Sequence, residues 1–551
     1  MDKPFIITIA QINPKVGDLK GNLDLIRRVR DEAPKHANLI VFPELVITGY
    51  PPEDLLLKQS FLDGVDSIID TLVEESRGRA TAMLITAPSW NRENKCLYNA
   101  VHLIHQGHIL ATQTKHDLPN YGIFDEHRYF KSGPLPEPMS FMGLKLGVMI
   151  CEDMWYPEVA DNLKAKGADI LIVSNASPYE GHKHDIRYQH ARLRATKTGL
   201  PLIYVNQFGG QDELVFDGAS FMMNETGQVI LQCEEFVEEF QDLTLVERRA
   251  NGSWLIATED MHPVHSETES MYQAVMLATR DYIHKSGMKD VLIGMSGGID
   301  SALVAAIATD ALGSAHVKCV MMPSPYTSED SIADATDCAR KLGVHFETVS
   351  IEPMMNALKA SMPDLSGLAH ENMQSRIRGT ILMSMSNQSG AIVLTTGNKS
   401  EIAAGYSTLY GDMCGGFNPL KDLYKTQVYN LATWRNSAKP VNALGPEGEI
   451  INERILTKAP SAELRPDQKD QDSLPPYDVL DEILMGIIED DLGIDDLVAR
   501  GHEPAMVGRV NQLLDRAEYK RRQSAPGPKI SPRAFGRDRR YPIVNGYVEK
   551  S

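Results

Sequence analysis

Cysteine is sparse in this chain. Cys96, Cys151, Cys233, Cys319, Cys338 and Cys414 are the six among 551 residues, and no two form a CxxC pair. That scatter excludes a zinc site or a disulfide framework and predicts reduced thiols in a cytoplasmic protein. No apolar stretch approaches the roughly 20 residues of a membrane-spanning helix, which predicts no span. The opening MDKPFIITIAQINP enters a strand-like run within a few residues, which predicts no signal peptide. Positive charge is in deficit too: 55 Lys and Arg face 74 Asp and Glu, a formal net charge of −19. Such a balance argues against nucleic acid or a membrane surface as a partner. Internal repeats, heptads and long low-complexity tracts are missing as well. What is present is 42% hydrophobic and 23% charged residues, in a chain long enough for two to four domains.

Two patterns divide the text. From Ile6 to about Cys233, apolar strand-like runs such as FIITIAQI, NLIVFPEL, LKLGVMICED and DILIVSNAS alternate with amphipathic helices. HQGH and NETGQ mark hairpin turns. This predicts an α/β layered domain over residues 1–233. Residues 234–265 are acidic and irregular and are expected to form a connecting arm. Within 266–551, helices and strands alternate from helix 266–286 to the strand AIVLTTGN, which predicts a doubly wound parallel sheet. The end, YKRRQSAPGPKISPRAFGRDRRYPI, is basic and rich in Pro and Gly, and is expected to be a loop or tail that orders only with substrate.

Within the second pattern lies VLIGMSGGIDSALVAAIA, an apolar run, a glycine loop and an apolar helix. Gly294, Ser296, Gly297, Gly298 and Ser301 sit where a buried strand meets a helix N-terminus, which suits a phosphate. Asp300 has the wrong charge for an anion unless Mg2+ bridges it to the phosphates. The loop has no GxxxxGKS or GxxxxGKT pattern. SGGxDS resembles instead the signature of the ATP pyrophosphatase superfamily, whose members split ATP between its α and β phosphates and adenylate a second substrate.

After the strand AIVLTTGN come Lys399, Ser400 and Glu401, at the binding edge of such a sheet. Lys399 and Lys425 are candidates to balance phosphate charge. The blocks GNKSEIAAGYSTLYGD, NPLKDLYKTQV, KAPSAEL and DQKDQDSLPPYDVLD resemble the NAD synthetase family. That resemblance implies ATP as co-substrate, held by the loop with Thr396 and Lys425. It implies Mg2+ on Asp300 and Glu401, and deamido-NAD against Asn372, Glu401 and Lys520. Arg376 and Arg378 either reach phosphates or form a surface helix face.

The first pattern supplies a second chemistry. LIVFPE ends in Glu44, HILATQTK in Lys115 and GVMIC in Cys151, three strand ends able to meet at one sheet edge. Glu44 suits removal of the thiol proton, and Lys115 suits a thiolate or a tetrahedral oxyanion. FPEL, TKHDLPNYGIFDE, GVMICEDMW and SNASPY resemble, in that order, the nitrilase family of carbon–nitrogen hydrolases, with a Glu-Lys-Cys triad on an αββα sandwich. In its glutamine-hydrolysing branch the positions of Tyr121, Ser177 and Lys183 would hold glutamine, with Phe124 and Glu152 near the pocket. Glu126 and Glu152 both remain open as a further acidic residue.

The order of the two resemblances matches glutamine-dependent NAD synthetases, commonly homo-oligomers of two or more copies. Glutamine would acylate Cys151, and ammonia would travel by an enclosed route to an adenylated intermediate. Other ATP-dependent amidotransferases fit less well, since they pair the loop with a Cys-His-Glu glutaminase or need Cys at position 2, where this chain has Asp2. A tRNA-thiolating enzyme would be more basic. A nucleotide-gated interaction protein would bind ATP without forming AMP.

Overall fold

The computed structural model describes residues 4–91, 93–248, 254–257 and 261–547. The chain divides into two units: residues 1–211 with 216–265, and residues 266–551 with the short segment 212–215.

The strands of the first unit are β1 (Phe5–Gln11), β2 (Leu39–Val41), β3 (Ala82–Asn91), β4 (Cys96–His105), β5 (His108–Thr114), β6 (Met139–Phe141), β7 (Leu144–Ile150), β8 (Ile170–Asn175), β9 (Leu202–Asn206), β10 (Phe208–Gln211), β11 (Leu214–Asp217), β12 (Phe221–Met223), β13 (Val229–Gln232), β14 (Glu239–Arg248) and β15 (Trp254–Ala257). Among them are a seven-stranded sheet, β15-β14-β1-β2-β3-β4-β5, and a six-stranded sheet, β13-β12-β9-β8-β7-β6, while β10 and β11 pair separately as a two-stranded sheet. Alternation along each strand sends one face to each side. Ile7, Leu39 and Leu84 thereby meet Leu146, Ile170 and Ile203 in a core without exposed surface. The opposite face of the first sheet is covered by helices Leu19–Glu32 and Gln59–Glu75, and that of the second by Pro157–Ala165 and Lys183–Thr198. The result is the four-layer αββα sandwich that the sequence suggests.

The expected arm is a correction. Glu239–Arg248 is no irregular connector but pairs antiparallel with β1 over its whole length, from Phe5 opposite Leu245 to Gln11 opposite Glu239. Leu243 and Leu245 turn into the core while Asp242 accepts from the Thr8 hydroxyl at 2.5 Å. Asp242 lies on the opposite face of the strand from Leu243 and Leu245. Residues 249–253 and 258–260 of the arm lie outside the described residues.

The second unit carries β16 (Val291–Met295), β17 (Val317–Met321), β18 (His345–Thr348) and β19 (Ile392–Leu394), all parallel in the order β18-β17-β16-β19. Helices Glu267–Lys285, Ile299–Leu312, Glu329–Leu342 and Gly367–Ser389 follow the expected rhythm. The winding reverses between β16 and β19, so a crevice opens outside their carboxyl ends. A second core forms where helices Tyr477–Ile488, Ile494–Ala499 and Pro504–Arg516 pack on Ile402, Tyr424 and Phe535.

The tail is the second correction. The sequence suggests a loop or tail rather than a packed element, yet Lys529, Ile530, Ser531 and Phe535 are all buried. Its packing is largely polar. The Ile530 and Ser531 amides donate to Asp422 at 2.8 and 2.7 Å, and Lys399 donates to Ser531 Oγ at 2.6 Å and the Arg533 carbonyl at 2.9 Å. A hydrophobicity pattern cannot register such an anchor. Among the described residues no helix is long and apolar enough to cross a membrane.

Candidate active sites

In the first unit Glu44 and Lys115 follow β2 and β5 of the seven-stranded sheet and Cys151 follows β7 of the six-stranded one, so the three come from two facing sheets and not from a single sheet edge. Lys115 and Glu44 have no exposed surface, and Lys115 Nζ lies 2.7 Å from Glu44 Oε1 and 2.9 Å from Glu126 Oε1. Asn99 Nδ2 donates to Glu44 Oε1 at 2.8 Å, and Tyr50 donates its phenol to Glu126 at 3.0 Å. Cys151 begins a single 3-10 turn, Cys151–Met154, directly after β7. Its φ of +45° is rare for a side-chain-bearing residue and marks a sharp strand-to-turn corner. Asp153 fixes that corner, accepting from the Ile150 amide at 3.0 Å and from the His116 and Asp117 amides at 3.0 and 2.8 Å. The nucleophile turn is thereby tied to the chain just past Lys115.

Burial, and then the Glu44 charge, push the Cys151 thiol well above its ordinary pKa, with Lys115 acting in the opposite sense. The resting thiol therefore keeps its proton and needs a base. Burial disfavours the Lys115 ammonium, yet the Glu126 and Glu44 carboxylates hold its pKa well above the ordinary value. Glu126 is pushed up to about 7 by burial, with Lys115 opposing. Of the two acids left open by sequence, Glu126 is the one on Lys115. Glu152 instead accepts the Tyr121 phenol at 3.0 Å, and burial raises its own pKa.

Tyr121 is half exposed and meets Phe124 edge-on, with ring centroids 5.5 Å apart. Lys183 opens helix Lys183–Thr198 with its ammonium 5.3 Å from the Trp155 ring centroid. Electrostatic coupling links Tyr121 to Cys151 and Lys183 to Glu152, so these side chains share one neighbourhood. Ser177 is buried and its hydroxyl accepts from Arg187 Nε at 3.2 Å. Arg187, Tyr50 and Asn99 carry no local sequence signal, since their partners lie on other elements.

In the second unit a cavity of about 550 Å³ opens at the switch point. All the residues that the sequence assigns to ATP, deamido-NAD and metal line it, from Gly294 in β16 to Lys520 near the end. Gly297 has φ +79°, and a Cβ there would fall 2.2 Å from the Ser331 carbonyl oxygen. Only glycine fits. Ser296 and Ser301 hydroxyls lie 3.1 Å apart and brace the loop, with Gly298 N donating to Ser296 Oγ at 3.2 Å. Asn372 Oδ1 accepts from Thr408 at 3.0 Å, and Lys520 donates to the Gly405 and Ser407 carbonyls, both at 2.7 Å.

Lys425 contacts the Asp300 carboxylate and lies 3.4 Å from Glu401 Oε1. Asn398 joins the two acids: its Nδ2 donates to Asp300 at 2.9 Å and its Oδ1 accepts the Glu401 amide at 3.0 Å. Glu401 is pushed up to about 8 by burial, with Lys425 opposing and Asp300 adding to the rise. One ammonium thus faces an excess of carboxylate. Among the described residues no three His, Cys, Asp or Glu side chains converge on a metal position. A carboxylate pair beside a phosphate loop still fits Mg2+, which takes few protein ligands and completes its shell from phosphates and water.

Three expectations sort out here. Lys399 does not reach the cavity; it has no exposed surface and pairs with Asp422 at 2.9 Å and Glu489 at 3.0 Å. Arg378 lines the cavity and donates to the Met322 carbonyl at 3.0 Å, whereas Arg376 is exposed. Asn398 went unread, although NxxE ahead of a helix is a capping signature.

Comparison with known proteins adds to this geometry. The carbon-nitrogen hydrolase family profile matches residues 6–250, and the NAD synthase profile matches residues 271–524. The chain is 45% identical over 557 residues to the glutamine-dependent NAD(+) synthetase of Rhodobacter capsulatus, covering 100% of both. It is 44% identical to that of Acinetobacter baylyi over 99% of each chain. Among solved structures it is similar to the glutamine-dependent NAD+ synthetase of Acinetobacter baumannii in complex with ADP, with TM-score 0.78, 40% identity and full coverage of both chains. The corresponding Cytophaga hutchinsonii structure, at 19% identity, TM-score 0.82 and 98% coverage of each chain, shares the fold.

Proposed function

The chain belongs to the glutamine-dependent NAD(+) synthetases, and we propose that it amidates deamido-NAD at the expense of ATP, with nitrogen taken from glutamine. The observation that carries this reading is the pairing, in one chain, of a buried Glu44–Lys115–Cys151 site with a phosphate loop flanked by Asp300 and Glu401.

At the first site Glu44 accepts the Cys151 thiol proton as sulfur attacks the side-chain amide of glutamine. Lys115 donates to the oxyanion of the tetrahedral adduct, held in place by Glu44 and Glu126. Glu44 passes the thiol proton to the departing nitrogen, and collapse expels ammonia and leaves a thioester. Water, deprotonated by Glu44, hydrolyses it to glutamate and regenerates the thiol. Tyr121, Ser177 and Lys183 orient the amino-acid end of glutamine.

At the second site the nicotinate carboxylate of deamido-NAD attacks the α-phosphate of ATP, giving an acyl adenylate and pyrophosphate. Ammonia then displaces AMP and forms the amide. The loop amides, Ser296 and Ser301, and Lys425 with Thr396 hold the phosphates. Asn372 and Lys520 lie against deamido-NAD. Asp300 and Glu401 would hold Mg2+, which when bound neutralises charge on the departing pyrophosphate. That the Acinetobacter baumannii structure is a complex with ADP supports adenine-nucleotide binding by this chain. Six free thiols and a formal net charge of −19 support a cytoplasmic setting without nucleic acid or membrane as partner, and the family likeness supports a homo-oligomer.

The test is formation of AMP and pyrophosphate that depends on deamido-NAD, with glutamine or ammonia as nitrogen donor. ATP binding without AMP from either donor refutes the proposal.

A further inference from the structure

We propose that the buried ion pair Arg187–Asp217 is a positioning pair that sets how tightly glutamine is held, by fixing Ser177 and Lys183 as one piece. The inference rests on the glutaminase reading above.

Both side chains are 1% exposed, and Arg187 Nη1 lies 2.6 Å from Asp217 Oδ2. An ion pair at this depth is poor evidence for stability, because an apolar pair of similar volume often serves a core as well. Its other bonds show what it does. Arg187 donates from Nη2 to the Ser177 and Pro178 carbonyls, both at 2.8 Å, and from Nε to Ser177 Oγ at 3.2 Å. Three of its four hydrogen bonds thus hold the turn that follows β8, and one holds Asp217. Asn206 at the end of β9 completes the clamp: its Oδ1 accepts the Ser177 amide at 2.9 Å, and its Nδ2 donates to the Gly218 carbonyl at 3.0 Å.

That turn also touches the reaction centre. The Ala176 amide donates to Glu44 Oε2 at 3.3 Å, and the Glu44 amide donates to the Asn175 carbonyl at 3.2 Å. Arg187 lies in electrostatic reach of Cys151. Lys183 stands four residues before Arg187, on the same face of helix Lys183–Thr198. The helix has no side-chain cap on its first turn. Arg187, fixed by Asp217, therefore ties the helix that carries Lys183 to the turn that carries Ser177, and its planar fork suits several fixed acceptors at once. Asp217 and Arg187 touch no reacting atom; they act through Ser177 and Lys183.

The experiment replaces the pair rather than one partner, because a single removal strands a buried charge. In Arg187→Met/Asp217→Leu the KM for glutamine is expected to rise by at least about ten-fold, the equivalent of one to two lost hydrogen bonds. The rate at which iodoacetamide alkylates Cys151 is expected to stay within about two-fold of the parent, since the thiol, Glu44 and Lys115 keep their partners. Arg187→Lys keeps the charge but not the fork, and is expected to give an intermediate KM. An unchanged KM in the double variant overturns the proposal. So does a fall in alkylation parallel to the rise in KM, which would make the pair a support of the nucleophile or of the fold. Glutamate release by the parent chain is measured first. Its absence refutes the glutaminase reading, and this inference with it, whereas parent turnover with unchanged KM in the variant refutes the positioning role alone.

Discussion

Gly297→Ala is a severe test of the phosphate loop, and its neighbour supplies the control. At Gly297 the backbone has φ +79°, where a side chain costs about 1–2 kcal/mol before any contact is counted. The added Cβ would then meet the Ser331 carbonyl oxygen at 2.2 Å and its carbonyl carbon and Cα at 2.8 Å. The first contact is roughly 1 Å short of van der Waals distance. Ser331 cannot move aside, being buried backbone in the first turn of helix Glu329–Leu342, whose cap Ser328 accepts the Ser331 amide at 3.2 Å. The loop must shift instead, and a misplacement of about 1 Å costs on the order of 100-fold in rate. At Gly298 φ is −93° and the nearest atom to an added Cβ is the Ser296 hydroxyl at 3.3 Å, a side-chain atom more than 1 Å farther off than the Ser331 carbonyl oxygen at Gly297, 2.2 Å away. Gly298→Ala is accordingly expected to lose less than about ten-fold. AMP formation with ammonia as donor reads both variants without involving glutamine, and glutamate release reports that the first unit is intact. If Gly297→Ala keeps more than about a third of the parental rate, the loop is not the rigid phosphate cradle described.

Cys151→Ala is expected to abolish NAD formation from glutamine and to spare formation from ammonia; loss of both would make Cys151 structural. Glu126 carries a folded pKa of about 7 against an ordinary 4.5, so the folded protein holds a proton that the unfolded chain has released between those values. The stability this gives is full below about pH 4.5 and is lost as pH rises through 7. Glu126→Gln is therefore expected to improve in Tm relative to the parent between pH 5 and pH 7.5, and a pH-independent difference would refute the assignment. Ending the chain after Ser524 removes the Ser531 and Arg533 partners of Lys399. Ammonia-driven amidation is expected to fall at least about ten-fold while glutamate release persists. A full rate would show the segment to be dispensable.

What the sequence disclosed depends on how local the physics is. The phosphate loop was legible because strand, glycine turn and helix are contiguous, and Glu44, Lys115 and Cys151 because each ends an apolar run. The ranking of Glu126 over Glu152 was not, since it turns on which acid lies 2.9 Å from Lys115 in the folded chain. Strand β14 was hidden by Glu239, Asp242 and Glu247, although Leu243 and Leu245 kept the period of two. Lys399, beside Glu401 in sequence, was read as a phosphate ligand; its true partner Asp422 is recognisable only from the packing. The link from Asn398 to Asp300 spans 98 residues and has no local sign.

The buried contact between Ser531 and Lys399 has a temporal consequence. Translation delivers the thiol site within the first 265 residues, and domains commonly fold as they emerge. The support behind Asn398 and Glu401 arrives only when residue 531 has left the ribosome. The thiol site thus precedes in synthesis the segment that completes the support of the nucleotide site.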